Sequence, residues 1–77
     1  MDSGDPKLDK IMESGVIEMG LGNYTEAIKA FSKIIKESPD YAEGWNKRAT
    51  AYFLRGDFKA SLKDIEETLS REKRHFG

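Results

Sequence analysis

The sequence predicts an all-α protein built from two antiparallel helix hairpins, four helices in all. Apolar residues recur at three- and four-residue steps in four successive segments, which is the periodicity of amphipathic helices. The connections between these segments are short and rich in Gly, Asn, Asp or Pro, and such short connections place neighbouring helices antiparallel. Two of these turns, Leu21-Gly22-Asn23 and Arg55-Gly56-Asp57, are alike and lie 34 residues apart, which indicates that one hairpin is repeated.

The first helix is predicted from Pro6 to Gly20. Asp5 is expected to cap it, and proline suits the first helical position because its missing N–H would have no partner there. Gly15 lies inside this helix at a cost of about 1 kcal/mol relative to alanine, which suggests that another side chain packs close to it. The apolar stripe consists of Leu8, Ile11, Met12, Val16 and Met19.

The second helix is predicted from Tyr24 to Glu37. Asn23 can cap it, with Glu26 in the reciprocal position of a capping box. Ser38-Pro39 is expected to end it, because a residue before proline avoids helical geometry. Its apolar stripe consists of Ala27, Ile28, Phe31, Ile34 and Ile35.

The third helix is predicted from Tyr41 to Leu54, capped by Asp40 with Glu43 in a second capping box. It presents Trp45, Ala49, Tyr52 and Phe53.

The fourth helix is predicted to begin at Phe58 behind an Asp57 cap. It can run on through Arg74, because Lys73 does not block helix propagation as a proline would. Its apolar residues are Phe58, Leu62, Ile65 and Leu69, and we expect part of this stripe to pack inward.

Composition limits the classes of function. The 77 residues allow one small domain, for which we expect a disordered leader at 1–5 and a folded part at 6–77. The net charge of −1 gives no field that would attract nucleic acid or an anionic membrane. No apolar run approaches the length of a membrane span and no signal-peptide pattern is present, so a cytoplasmic protein is the default expectation. With no cysteine, thiolate chemistry is excluded.

Catalysis and cofactor binding are not expected. His75 is the only imidazole and lies in a basic tail, where a surface role is expected, and no cluster of His and carboxylates has metal-ligand spacing. Glu66 and Glu67 are sequence neighbours in a helix, so their side chains diverge and cannot act as an acid–base pair. The basic run at residues 71–75 leaves a nucleic-acid-contacting module as a distant alternative, although Glu72 interrupts it.

The chain resembles the tetratricopeptide repeat family, with repeat one at about 8–41 and repeat two at about 42–75. The resemblance also extends to a subgroup of bacterial and plastid-type repeat proteins. It implies a right-handed α-solenoid stack in which the first helix of each repeat, helix A, lines a concave face. The matching positions are Gly15, Gly22, Tyr24, Ala27, Phe31 and Pro39 in repeat one, and Trp45, Ala49, Tyr52, Gly56 and Phe58 in repeat two.

Several residues depart from the family pattern. Glu18 and Arg48 occupy positions that the family fills with larger apolar groups, so we expect an ion pair of Arg48 with Glu18 or with Asp64, since an unpaired and partly buried charge is costly. The other departures are Ile11, Ser61, Thr68 and Lys73.

The resemblance implies peptide or protein binding on the face formed by the A helices. The residues mapped to this face are Met12, Val16 and Met19 from the first helix, and Asn46, Thr50 and Phe53 from the third. A methionine stripe can equally be core, and if it binds a ligand an amphipathic helix or apolar peptide in a groove is expected. The family's clamp for acidic C-terminal peptides needs Lys and Asn where Met12 and Val16 stand, so that specificity is not expected.

Self-association is the other expectation. Repeat proteins bury a continuous core by stacking, and two repeats leave one end of the stack uncovered. We expect Leu62, Ile65 and Leu69 to form a self-association surface there and to give a homo-oligomer, most simply a dimer, by end-to-end stacking or by helix exchange. The alternatives are a solvated monomer, and a structural or engineered repeat fragment whose only partner is itself.

Overall fold

The computed structural model describes residues 4–72, and within that range its regular elements are four α-helices. They are α1 (Pro6–Gly20), α2 (Tyr24–Glu37), α3 (Ala42–Arg55) and α4 (Phe58–Glu72). Along the chain, α2 packs against both α1 and α3, and α3 packs against both α2 and α4. The predicted all-α class and two helix hairpins are confirmed. The predicted leader lies largely outside the described residues, as does any continuation of α4 through Lys73 and Arg74.

Repeat one supplies most of the core. All five apolar residues predicted for α2 are buried, and Phe31 and Ile34 are the largest fully buried side chains. They pack with Leu8 and Met12 of α1 and with Ala51 of α3. A Cβ atom built on Gly15 would lie 2.5 Å from Cε1 of Phe31, so this glycine lets the two helices of the first hairpin approach each other closely.

The turns after the two A helices have the same hydrogen-bond pattern. Gly56 has φ 95°, its N–H donates to Phe53 O at 3.0 Å, and the Asp57 N–H donates to Tyr52 O at 2.9 Å. In repeat one, Gly22 has φ 83° and occupies the position equivalent to Gly56. This left-handed ending favours glycine because a Cβ atom is strained there. The predicted repetition of the hairpin therefore extends to its backbone.

The helix caps agree only in part with prediction. The Asp5 Oδ1 atom accepts from the Lys7 N–H at 2.9 Å, which confirms the first cap. Asn23 makes no side-chain cap bond, because its backbone (φ −90°, ψ 67°) lies outside the extended region that capping residues adopt. The third helix has Tyr41 rather than Asp40 in the cap position, since a Tyr41 N–H bond to Ser38 O prolongs the preceding turn by one residue.

The second hairpin buries a different face of α4 from the one predicted. Ser61, Asp64 and Thr68 face inward and are 3%, 3% and 6% exposed. The Ser61 Oγ–H donates to Ala49 O at 2.8 Å, so a short polar side chain lets α4 approach α3 while its hydroxyl remains satisfied. The prediction that part of the apolar stripe packs inward was wrong, because the whole stripe is exposed: Phe58, Leu62, Ile65 and Leu69.

Candidate interaction surfaces

A buried ion pair holds α3 to α4. The Arg48 guanidinium donates from Nε and Nη2 to the two Asp64 carboxylate oxygens at 2.7 and 2.9 Å. Its Nη1 atom donates to Ser32 Oγ at 3.1 Å, which ties the pair to α2. The hydrogen bond to Asp64 raises the pKa of Arg48 above its usual value, although burial acts in the opposite direction. Of the two partners predicted for Arg48, the structure therefore selects Asp64.

The arginine at the start of the basic run is also engaged within the fold. The Arg71 guanidinium carbon lies 4.4 Å from the Trp45 ring centroid, and Nη1 donates to Glu67 Oε1 at 2.7 Å. The Trp45 Nε1–H donates to Pro39 O at 2.8 Å, and the same carbonyl accepts from Arg71 Nε. The guanidinium that the nucleic-acid alternative would use thus joins α4 to the loop before α3. Residues 73–75 of that run lie outside the described part of the chain.

The first-helix half of the predicted peptide-binding face is more buried than the sequence suggested. Met12 is 3% exposed and belongs to the core cluster with Ile28 and Phe31 of α2, which is the alternative that the sequence analysis left open for the methionine stripe. We therefore leave Met12 out of the surface considered below. Val16 and Met19 are partly buried and pack against the same core.

The third-helix half of this face is open. Asn46, Thr50 and Phe53 are exposed at successive turns of α3. Asn46 Nδ2 donates to Glu43 Oε1 at 3.2 Å, and Thr50 Oγ1 donates to the Asn46 carbonyl oxygen at 3.1 Å. These two bonds hold the Asn46 and Thr50 side chains against α3. We call the five available residues the A-helix face: Val16, Met19, Asn46, Thr50 and Phe53.

Phe53 packs against a second exposed aromatic side chain, Phe58. Its ring centroid lies 5.3 Å from that of Phe58, with the planes tilted by 58°, and both side chains are more than half exposed. The sequence analysis placed Phe53 on the binding face and Phe58 in the α4 stripe, but missed that they form one aromatic pair. The signal was available, since the two residues flank the Gly56 turn.

Two further apolar patches are exposed at the ends of the stack. Leu62, Ile65 and Leu69 of α4 are 63%, 40% and 54% exposed, and we call them the tail face. Ile17 of α1 and Leu21, which directly follows α1, are 54% and 69% exposed, and neither was expected at a surface patch from the sequence. They lie off the α1 stripe that packs against α2, and that departure from a single stripe was the available signal.

Residues 4–72 contain no group of three or more carboxylates or histidines that could hold a metal ion. Within the same range, no helix is long and apolar enough to cross a bilayer.

Comparison with known proteins identifies the repeat. Residues 12–41 match the family profile described as tetratricopeptide repeat. A TPR repeat-containing protein of Rhizobium etli is 37% identical over 76 residues, which cover 99% of this chain and 37% of that protein. Trafficking protein particle complex subunit 12 of Homo sapiens is 28% identical over 76 residues, which cover 99% of this chain and 10% of that protein.

A solved structure shows the same fold. The crystal structure of MamA superposes with a TM-score of 0.82 and 22% sequence identity, over 88% of this chain and 40% of that one. The chain thus spans 40% or less of the length of each of these three proteins. These relatives include both bacterial and mammalian proteins, so the bacterial and plastid-type subgroup stays a prediction. Residues 12–41 thus match the tetratricopeptide repeat profile, and the predicted resemblance of the chain to the tetratricopeptide repeat family is confirmed.

Proposed function

We propose that this chain is a non-catalytic protein-interaction module whose A-helix face binds a peptide or a helix of a partner protein. Tetratricopeptide repeats in general mediate protein–protein interaction, which supports the class of function. The finer assignment to the A-helix face, and a cytoplasmic location, belong to the proposal.

The observation that carries the proposal is the exposed side of α3. Asn46, Thr50 and Phe53 follow one another at helical spacing, and none of them is among the buried core residues. Phe53 is 58% exposed although it already packs on Phe58. Aromatic side chains of this kind are the usual anchors of protein interfaces, because they bury a large area at little entropic cost.

The chemistry of the A-helix face defines the ligand. Val16 and Met19 supply an apolar floor, the Phe53–Phe58 pair an aromatic wall, and Asn46 and Thr50 polar groups that can contact a peptide backbone. An amphipathic helix or an apolar peptide fits this arrangement, with one large apolar side chain against the aromatic pair.

The test is selection of peptides from a phage-displayed library of amphipathic 16-residue sequences on the immobilised 77-residue chain. Binding of selected peptides should fall at least about tenfold in Phe53→Asp, because a charge there disrupts the aromatic contact. The matched control is Leu62→Asp, an exposed apolar residue on the tail face, which should bind the peptides as the wild type does. Peptides that bind Phe53→Asp undiminished, or no enrichment over bare support, would refute the proposal.

Self-association through the tail face is the second candidate function, and it includes the alternative that the chain binds only itself. It is supported by the exposure of three large apolar side chains at one helical stripe, since contiguous exposed apolar surface marks association sites.

A further inference from the structure

We propose that the tail face of one copy is covered by α1 of a second copy, so that copies stack head to tail in the same register that joins the two repeats. This inference rests on the self-association proposed above, which names the tail face but not the surface of the second copy that covers it. The covering surface consists of Lys10, Ser14, Ile17 and Leu21, and we call it the head face.

The repeat itself shows what the tail face lacks. Shifting by the 34-residue period places Leu62, Ile65 and Leu69 of α4 on Ile28, Phe31 and Ile35 of α2. These α2 residues are 8%, 0% and 9% exposed, in a helix that packs against α3. The same period places the head face on Gly44, Arg48, Ala51 and Arg55 of α3. A contact between α1 of one copy and α4 of another would therefore repeat the α2–α3 contact.

At the first pair of positions, the small residue of the α2–α3 contact is replaced by a large one, and the large residue is replaced by a small one. In the α2–α3 contact, Gly44 meets Ile34, and a Cβ atom on Gly44 would lie 3.1 Å from Ile34 Cγ2. The equivalent positions hold Lys10 on the head face and Thr68 on α4. Thr68 is only 6% exposed in the single chain, so the larger Lys10 would cover the edge of a smaller, mostly buried side chain beside the tail face.

At the second pair of positions, one apolar residue is larger and the other smaller than in the α2–α3 contact. Ala51 is fully buried in the core cluster that contains the large ring of Phe31. At the equivalent positions, Ile17 on the head face would meet Ile65 on the tail face. Alanine with phenylalanine and isoleucine with isoleucine have the same total number of side-chain carbon atoms, and apolar exchanges that keep the total size nearly constant are the ones that packed interfaces tolerate best. Ile17 and Ile65 are both exposed in the single chain, at 54% and 40%.

At the third pair of positions, the long polar side chain and the short one change places between the two helices. In the α2–α3 contact the long Arg48 side chain donates from Nη1 to the short Ser32 hydroxyl at 3.1 Å. At the equivalent positions, the short Ser14 would face the long Glu66, and the Ser14 hydroxyl can donate to its carboxylate. Three pairs of positions thus change in a compensating way, and this complementarity favours a second copy as the occupant.

The test uses two blocked variants and their mixture, measured by sedimentation velocity over a wide range of protein concentrations. The tail-blocked chain carries Leu62→Asp and Ile65→Asp, and the head-blocked chain carries Ile17→Asp and Leu21→Asp. All four side chains are at least 40% exposed, so both chains should fold, which far-ultraviolet circular dichroism checks. We expect the wild type to associate, each variant alone to be monomeric, and the equimolar mixture to form a heterodimer, because each variant retains the face that the other has lost.

Two other outcomes would contradict the proposal. A head-blocked chain that still dimerises, with a mixture that gains nothing, would overturn the head-to-tail register while leaving tail-face self-association intact. A wild type that stays monomeric at every concentration would overturn both.

If a blocked variant fails to fold, two charge-changing substitutions test the head-to-tail register instead. Ser14→Glu should weaken association about tenfold, because it places two carboxylates together, and Glu66→Lys in the same chain should restore it. Failure of Glu66→Lys to restore association would contradict the Ser14–Glu66 contact.

Discussion

Removing the carboxylate of the buried ion pair should destabilise the fold far more than removing an exposed one. In Asp64→Ala, the Arg48 guanidinium would lose both bonds to Asp64 (2.7 and 2.9 Å). It would remain largely buried without its partner, since the Arg48 side chain is only 20% exposed. Breaking such a pair costs about 3–5 kcal/mol. Arg48 keeps the Ser32 bond and its position over the Trp45 ring, so we expect the lower end, about 3 kcal/mol. A 77-residue domain has a total stability of about 4–12 kcal/mol, so this loss is large.

The matched control is Asp57→Ala. Its partner Arg55 lies at 2.6 Å, but the two side chains are 44% and 38% exposed, so loss of the pair costs about 0–1 kcal/mol and loss of the predicted α4 cap adds about 0.5–1 kcal/mol. The double variant Arg48→Met with Asp64→Ala should recover part of the loss, since it removes the orphaned charge, and alanine already occupies the equivalent position in repeat one at Ala30.

The assay is urea unfolding followed by the fluorescence of Trp45, the only tryptophan, in protein dilute enough for its mass to be 8.7 kDa. Dilution is needed because association would add to the apparent stability. If Asp64→Ala cost no more than Asp57→Ala, the claim that this pair anchors α3 to α4 would be refuted.

Three further predictions follow from packing and from residue identities. Gly15→Ala should destabilise by about 1–3 kcal/mol, because the new methyl group would overlap the buried Phe31 ring, whereas Gly20→Ala, with open space around its Cβ, should be neutral or slightly stabilising in the same urea assay. Asp5→Ala should cost about 0.5–1 kcal/mol through its lost cap, and Asn23→Ala should cost less, since Asn23 makes no cap bond; equal losses would contradict the observed caps. A peptide ending in EEVD should show no measurable heat of binding in titration calorimetry, and tight binding would overturn the expected lack of a carboxylate clamp.

The sequence predicts repeat one well because its signals are local. The helix bounds Pro6–Gly20 and Tyr24–Glu37 follow from Gly and Pro punctuation, and a single strong apolar stripe defines the buried face of α2. Gly15 was likewise predicted to mark a close approach, because a glycine inside a helix costs about 1 kcal/mol relative to alanine.

Repeat two is harder to predict because its α4 contacts are polar. An apolar stripe normally marks the buried face of a helix, yet α4 buries Ser61, Asp64 and Thr68 and exposes its leucines. Asp64 is buried because its partner Arg48 lies 16 residues earlier in the chain, a pairing that local periodicity cannot decide. The candidate site shows the same limit, since the spacing of Met12 fits both a binding face and the core.

The most direct test of the proposed function is amide NMR of the labelled chain titrated with a peptide selected on it. We expect the largest shift changes on α1 and α3, at Val16, Met19, Asn46, Thr50 and Phe53, and a smaller change at Phe58, whose ring packs on Phe53. Shift changes confined to Leu62, Ile65 and Leu69 would show that the tail face binds the peptide and would contradict the A-helix face as the binding site.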